Sequence, residues 1–197
     1  MGFSTIIDIL GSIIIGGILL LILWRLDDSA TQSMINNGQD VALQQNLTTI
    51  ANVLEYDFRK IGYCANLTQI QDSAITQADS NSITFLSDEK NAGVLNQIHY
   101  YLGPTSELSS TPNPDDRYLH REIDGSTTDA TNLDVIDFKL VYYDDLGQKI
   151  NSPVSDPSTI ASIEINILIE DPFAYDNQYS QAFWKQIRVV SKNLHKR

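Results

Sequence analysis

Three hydrophobic patterns follow one another along the chain, and the first is continuous. From Ile9 to Trp24 every residue is uncharged and most are aliphatic. With residues 3–8 and 25–26, the stretch exceeds about 20 residues, the length of a helix that crosses roughly 30 Å of hydrocarbon. In lipid a helix satisfies its own backbone hydrogen bonds. Residues 1–26 are therefore predicted to form a membrane-spanning helix, with lipid contact through residues 3–26.

Small residues mark one face of this predicted helix. Gly16 and Gly17, with Gly11 more than one turn earlier, would let a second helix approach closely, as helices do in membranes. Asp8 is the ionisable residue inside the apolar stretch. A charge there is costly, so Asp8 is either a functional group or a residue at the level of the lipid headgroups. These four residues are the predicted contacts for helix assembly.

Two other interpretations of the apolar stretch compete with a permanent span. A cleavable secretory signal needs a basic start and a small-residue cleavage site. Residues 1–8 contain no Lys or Arg, and the sequence DSA at 28–30 is a poor site. A buried core helix would need later segments that are long and apolar enough to surround it, and the sequence contains none. A permanent span is therefore favoured.

The second pattern is an amphipathic helix over residues 27–63. Its apolar stripe recurs at spacings of three and four residues and comprises Leu43, Leu47, Ile50, Leu54, Phe58 and Ile61. Gly62 is the predicted stop. The polar residues 29–40 either continue the helix or form a joint at Gly38. An uninterrupted helix over residues 5–62 would be on the order of 85 Å long.

The third pattern, after residue 64, alternates with a period of two. It predicts six strands, at residues 82–86, 97–102, 118–123, 135–143, 161–169 and 182–190. Short turn clusters separate these strands, and short connections favour antiparallel pairing. One apolar face of the sheet needs a cover, which the stripe at 43–61 can supply. The predicted fold is therefore α+β: a long N-terminal helix, first membrane-spanning and then amphipathic, packed on an antiparallel β-sheet of residues 64–197.

Composition and charge narrow the classes of partner. The 197 residues include 13 Lys and Arg against 25 Asp and Glu, and the net charge is −12. Nucleic-acid phosphates need a basic patch, so nucleic acid is not a predicted partner. At 42% hydrophobic and 19% charged, the chain is too apolar for a disordered tail. The length suits one globular domain with an appendage.

Catalytic and metal-binding motifs are absent from the sequence. One cysteine, Cys64, excludes an intrachain disulfide, and His99, His120 and His195 are scattered along the chain. We find no phosphate loop and no hydrolase or zinc motif. Acidic pairs at 115–116 and 144–145 lie in predicted turns, where calcium is the functional interpretation and local hydrogen bonding the simpler one. The prediction is a non-enzyme without cofactor, structural metal or small-molecule substrate.

The order of segments resembles a known family. The stretches are LEYDFRKIGY (54–63), IHYYL (98–102), LHREIDG (119–125), VIDFKLVYYDDLG (135–147) and IRVVSKNL (187–194). Behind an apolar helix, they resemble the W-type minor pilins of type IV pili and the J-type pseudopilins of type II secretion. The resemblance implies a type IV pilin-like fold, anchoring in the bacterial inner membrane and an extracytoplasmic sheet domain. It also implies a place in a filament beside copies of itself or other pilin-like subunits.

The N-terminus departs from that family. Such proteins begin with a basic leader that ends in Gly, then a Phe or Met, with a Glu fifth after the cut. Gly2 and Phe3 resemble this processing junction, but no basic residue precedes them. Counted from Phe3, the fifth residue is Ile7 and the acid, Asp8, is sixth. A subunit that keeps its N-terminus and a sequence written without its leader both stay open.

Three functional hypotheses follow from these patterns. The first is a pilin-like structural subunit of a surface filament or secretion apparatus, assembled through its apolar helix. The second is a permanently anchored accessory subunit of a membrane complex that docks a partner through its acidic β domain. The third, a membrane-tethered enzyme or solute-binding domain, has no supporting motif and would require a deep pocket with convergent polar groups.

Overall fold

The computed structural model describes residues 2–69, 73–127, 132–172, 179 and 181–189. The chain divides into two compact units, Met1–Val41 and Ala42–Arg197. The predictions for residues 190–197, which include His195, lie outside the described residues.

The first element is the helix α1, Gly2–Arg59. The polar residues 29–40, Gly38 among them, are helical. Asn and Gly are poor helix formers, but extending a formed helix adds one hydrogen bond for each residue fixed, so strong segments on both sides carry the helix through. After Arg59 the chain turns through Gly62, whose φ is 73°. Its lack of a Cβ suits this left-handed conformation, close to the predicted stop.

Within the described residues, the remaining elements form one antiparallel sheet and three short 3₁₀ turns. The strands are β1 Ile75–Ala78, β2 Ser82–Ser87, β3 Asn96–Leu102, β4 Arg117–Ile123, β5 Ser126–Thr127, β6 Asn132–Tyr143, β7 Lys149–Ile150, β8 Ser162–Glu170 and β9 Gln181–Val189. The 3₁₀ turns are Leu67–Gln69, Thr105–Leu108 and Pro157–Thr159. The sheet order is β1-β2-β3-β4-β6-β8-β9, with β5 beside β4 and β7 beside β6. Every pairing among these strands is antiparallel.

The predicted α+β class is confirmed, and the six predicted strands correspond to β2, β3, β4, β6, β8 and β9. The sequence missed β1, β5 and β7. Two of them have only two residues, too few to show a period. In β1 the burial does not alternate, because a register shift lies between Ile75 and Gln77.

The core of the second unit lies between the sheet and residues 43–61. Ile163, Ile165, Ile167 and Ile169 of β8 are fully buried on the predicted apolar face. The segment after β1 also contacts β6. The main-chain N–H of Leu140 in β6 donates to the Ser80 carbonyl oxygen after β1 at 2.7 Å. This contact joins strands that are four places apart in the sheet order.

Candidate functional site

The first candidate site is the apolar surface of α1 over residues 6–26. Every large hydrophobic side chain in this range is exposed, from 48% for Ile22 to 69% for Trp24. By length and composition this helix qualifies as a membrane span, a test that a signal sequence near the N-terminus also passes. A helix that is apolar on all sides normally lies in lipid or inside protein. This surface therefore needs a covering that the described chain does not supply.

The predicted assembly residues lie on this helix with open space around them. A Cβ added at Gly11, Gly16 or Gly17 would meet no heavy atom of the described chain within 4 Å. The Ser12 hydroxyl donates to the carbonyl oxygens of Asp8 and Ile9, so it is satisfied within the helix. Ser12 stands four residues before Gly16 on the same face, a spacing at which two helix backbones can approach closely.

The N-terminal candidates are part of the same helix. Gly2 and Phe3, the predicted processing junction, are the first two residues of α1. Asp8 is exposed, and its carboxylate has no hydrogen bond or ion pair within the part of the chain that the structure describes. An unpaired carboxylate on an apolar helix depends on water, a lipid headgroup or a neighbouring chain to stabilise its charge.

The second candidate site is the helix-on-sheet contact, and the structure brings its six predicted residues into one core. Each has an exposed fraction of 9% or less: Leu43, Leu47, Ile50, Leu54, Phe58 and Ile61. The Phe58 ring packs against those of Phe85 and Tyr100, with centroids 5.6 Å and 5.9 Å apart. Burying one such side chain stabilises a fold by about 1.5–3 kcal/mol. Five of them belong to α1 and Ile61 lies in the turn that follows it, so together they are the apolar anchor of α1 on the sheet.

A polar contact around the buried Asp57, which the sequence analysis did not predict, also joins α1 to the sheet. Asp57 is 2% exposed. Its Oδ2 accepts hydrogen bonds from the Tyr100 hydroxyl and from Arg121 Nε, both at 2.6 Å. Burial and the Asp57 charge raise the pKa of Tyr100. Burial alone would lower the pKa of Arg121, but the hydrogen bond and charge of Asp57 outweigh it and raise that pKa. The helix is thus joined to β3 by a buried hydrogen bond and to β4 by an ion pair.

The sequence does indicate that Asp57 is buried. It stands three residues after Leu54 and four before Ile61, so it lies on the apolar stripe itself. A charged residue on a buried stripe is informative because such a group is rarely buried without a partner. The partners, Tyr100 and Arg121, are separated from it by 43 and 64 residues, and no spacing rule identifies them.

A second buried aspartate ties the segment after the helix to the loop after β2. The Asp88 carboxylate accepts three backbone hydrogen bonds, from Ala65 at 3.1 Å, Ala92 at 2.9 Å and Gly93 at 2.7 Å. Burial by itself raises the pKa of Asp88, but these three bonds favour the charged form and lower it below its ordinary value of 3.8. The ionised carboxylate therefore stabilises the native loop.

The stability that Asp88 contributes is expected to depend on pH. Because its folded pKa lies below the unfolded value of 3.8, the contribution is complete above that pH and is lost as the pH falls through the folded pKa. We expect Asp88→Asn to lower the urea midpoint at about pH 7 and to lower it much less at about pH 3. Urea unfolding of the full chain in detergent, followed by near-UV circular dichroism, measures both midpoints. Asp145→Asn, in an exposed turn, is the control, and an equal loss at both pH values would contradict the assignment.

The histidines that are scattered along the sequence are partly gathered in space. His99, Tyr101 and His120 form a stack of rings with centroids 4.7 Å apart at each step. His120 Nε2 lies 2.7 Å from a Glu107 carboxylate oxygen, and His99 Nδ1 lies 3.6 Å from Glu122. Within the described ranges, no group of three His, Cys, Asp or Glu side chains is arranged to hold a metal ion.

An open groove of about 640 Å³ lies beside Val53 of α1 and the turn between β4 and β5. Its charged lining includes Glu89 and Arg121, which lie 3.7 Å apart, and Arg121 is bound to Asp57. Two basic residues line the groove, Lys90 and Arg121, and Arg121 is held by the chain's own carboxylates Asp57 and Glu89.

No protein-family model, curated protein or solved structure matches the chain.

Proposed function

We propose that this chain is a pilin-like structural subunit, held in a membrane by residues 3–26 and assembled through contacts between such helices. The observation that carries the proposal is the exposed, predominantly apolar surface over residues 6–26 of a helix whose residues 43–59 are packed on an antiparallel sheet. By the family resemblance, the membrane is the bacterial inner membrane and the sheet domain is extracytoplasmic. The partners are copies of the chain or other pilin-like subunits in a surface filament or a secretion-like apparatus.

Two environments satisfy the exposed helix by different physics. In a bilayer, lipid covers the apolar side chains, and helices associate mainly through close packing at small residues such as Ser12 and Gly16. In a filament, neighbouring helices replace the lipid, and burial of apolar surface away from water contributes about 25 cal/mol per Å². The same surface therefore serves before and after assembly.

The competing proposal is a permanently anchored accessory subunit that docks a partner through the acidic β domain. Both proposals include the membrane helix. They differ in whether the protein later leaves the membrane as part of a filament. Shearing intact cells separates the two, because a filament subunit leaves the cell with the sheared fibres and an anchored subunit stays in the membrane fraction. Recovery of the protein only in membranes would overturn the filament proposal.

Variants at Gly16 test helix assembly. Leucine at Gly16 keeps the helix apolar but fills the small-residue face, so we expect Gly16→Leu to enter the membrane and to reduce the sheared, assembled fraction by about tenfold. Gly16→Arg places a charge within the predicted span and is expected to abolish assembly. The assembled fraction is measured by quantitative immunoblotting of sheared fibres and washed membranes.

The matched control uses the same helix outside the apolar surface. Gly38 is also helical with open space around it, and it lies in the polar segment of α1. Gly38→Leu and Gly38→Arg are expected to assemble like the wild type. Normal filaments from a chain that carries Gly16→Arg would exclude this helix face from assembly.

A further inference from the structure

Four acidic residues gather at one end of the sheet. Asp116 precedes β4, Asp134 lies near the start of β6, Glu170 ends β8 and Asp171 follows it. Residues next to these acids, 117, 135 and 169, are paired across the three neighbouring strands β4, β6 and β8. This register brings the four carboxylates, which come from three distant parts of the sequence, to the same end of these inner strands.

Asp116 is the unusual member of this group. It is 1% exposed, and both of its carboxylate oxygens are buried without a hydrogen-bond partner in the described chain. The Thr111 hydroxyl is nearby, but it donates to the carbonyl oxygen of Leu108 at 2.9 Å. A buried charge without a donor or counter-charge is strongly destabilising, and native proteins rarely keep one without a ligand.

The neighbours of Asp116 increase this cost. Burial raises the pKa of Asp116 and the charges of Glu170 and Asp171 raise it further, against a lowering effect of the nearby Thr111 hydroxyl. Burial, together with the charge of Asp116, raises the pKa of Asp134 to about 6. Among the described residues, no Lys, Arg or His forms a salt bridge with Asp116 or Asp134. The site therefore has an excess of negative charge and buried oxygen atoms that lack a partner.

We propose that Asp116 and Asp134 bind a calcium ion at this end of the sheet, a function separate from assembly of the N-terminal helix. Calcium takes six to eight oxygen ligands and accepts backbone carbonyls and waters among them, so two carboxylates suffice as its charged ligands. Magnesium requires near-ideal octahedral geometry. Zinc prefers His and Cys ligands, and the four clustered acids offer only oxygen atoms.

The position of the site predicts what the ion stabilises. Asn46 Nδ2 of α1 donates to Asp134 Oδ2 at 2.9 Å, and Asn113 Nδ2 of the loop before β4 donates to Glu170 Oε2 at 3.0 Å. An ion between Asp116 and Asp134 would therefore hold together this loop, the start of β6 and the part of α1 that belongs to the sheet unit.

The test measures thermal unfolding of the full chain in detergent near neutral pH, with EDTA, calcium chloride or magnesium chloride. We expect calcium to raise the Tm of the wild type by about 5 °C or more relative to EDTA, and magnesium to raise it much less. Asp116→Asn is expected to lose the calcium shift and to be at least as stable as the wild type in EDTA, because it removes the buried charge. Asp134→Asn, read in the same way, gives a second test if Asp116→Asn does not fold.

Asp115→Asn is the matched control, because Asp115 is the exposed neighbour of Asp116 on the same loop. It is expected to keep the full calcium shift. Equal wild-type Tm values in calcium and EDTA would overturn the proposal. A shift retained by Asp116→Asn and Asp134→Asn, or an equal shift with magnesium, would assign the effect to screening of the net charge of −12 and would overturn it as well.

Discussion

Replacing Asp57 by alanine is expected to destabilise the sheet unit by about 3–5 kcal/mol. The substitution leaves Arg121, whose side chain is 17% exposed, as a partly buried cation without its closest partner and with only Glu89 nearby, at 3.7 Å. It also leaves the buried Tyr100 hydroxyl without an acceptor at 2.6 Å. Urea unfolding of the full chain in detergent, followed by the near-UV circular dichroism of the buried tyrosines, measures the change.

Two further variants separate the charge effect from loss of packing. Glu55→Ala removes the exposed ion pair with Arg59 on the same helix and is expected to cost about 0.5 kcal/mol or less. Asp57→Leu combined with Arg121→Met and Tyr100→Phe replaces the whole contact with apolar groups and should recover most of the stability. If Asp57→Ala costs no more than Glu55→Ala, the buried ion pair does not hold the helix on the sheet.

Phe58→Ala is expected to cost about 3–5 kcal/mol, the range for truncating a fully buried aromatic residue. Phe58 is 0% exposed and packs between α1 and the rings of Phe85 and Tyr100. Part of this loss in the free energy of unfolding comes from the apolar surface that is no longer buried. The rest comes from the cavity left by the ring, which the facing strands can fill only partly. The same urea titration measures it.

The control for Phe58 is a second aromatic residue on the same helix. Tyr56 is 57% exposed, and its ring contacts are with the Lys60 side chain. We expect Tyr56→Ala to change stability by about 0.5–1 kcal/mol. Similar losses for Phe58→Ala and Tyr56→Ala would mean that the aromatic cluster is not the apolar anchor of α1.

The substitutions at Asp57 and Phe58 also separate the two candidate sites. Both lie in the unit Ala42–Arg197, whereas Gly16 lies in the unit Met1–Val41. We expect Asp57→Ala to weaken the sheet unit without removing the protein from the membrane fraction. Gly16→Leu should show the reverse, normal stability of the sheet unit with reduced assembly.

Most of the fold could be read from local patterns. The stripe from Leu43 to Ile61 predicts the buried face of α1, and the alternation of isoleucines from Ile163 to Ile169 predicts the buried face of β8. Burial of one face imposes a period on the sequence, so such elements carry their own signal. The continuity of α1 through Gly38 was left open, because it depends on helix cooperativity and not on the propensity of three residues.

The candidate sites also differ in how far local sequence patterns predict them. The apolar surface over residues 6–26 is visible in composition alone, because a long uncharged stretch needs no tertiary contact to be recognised. The position of Asp57 on the apolar stripe indicated a buried charge that needs a partner. Asp116 carried a weaker one, since an Asp-Asp pair in a turn is common and most such pairs are solvated.

By itself, the sequence determined the element types, the buried faces and the exposed apolar helix, since each depends on the periodicity or length of one segment. Only the tertiary structure decided which distant groups come into contact: Asp57 with Tyr100 and Arg121, Asn46 with Asp134, and Asn113 with Glu170. Those meetings depend on strand order and register. Order and register result from packing of the whole sheet, and no single segment encodes them.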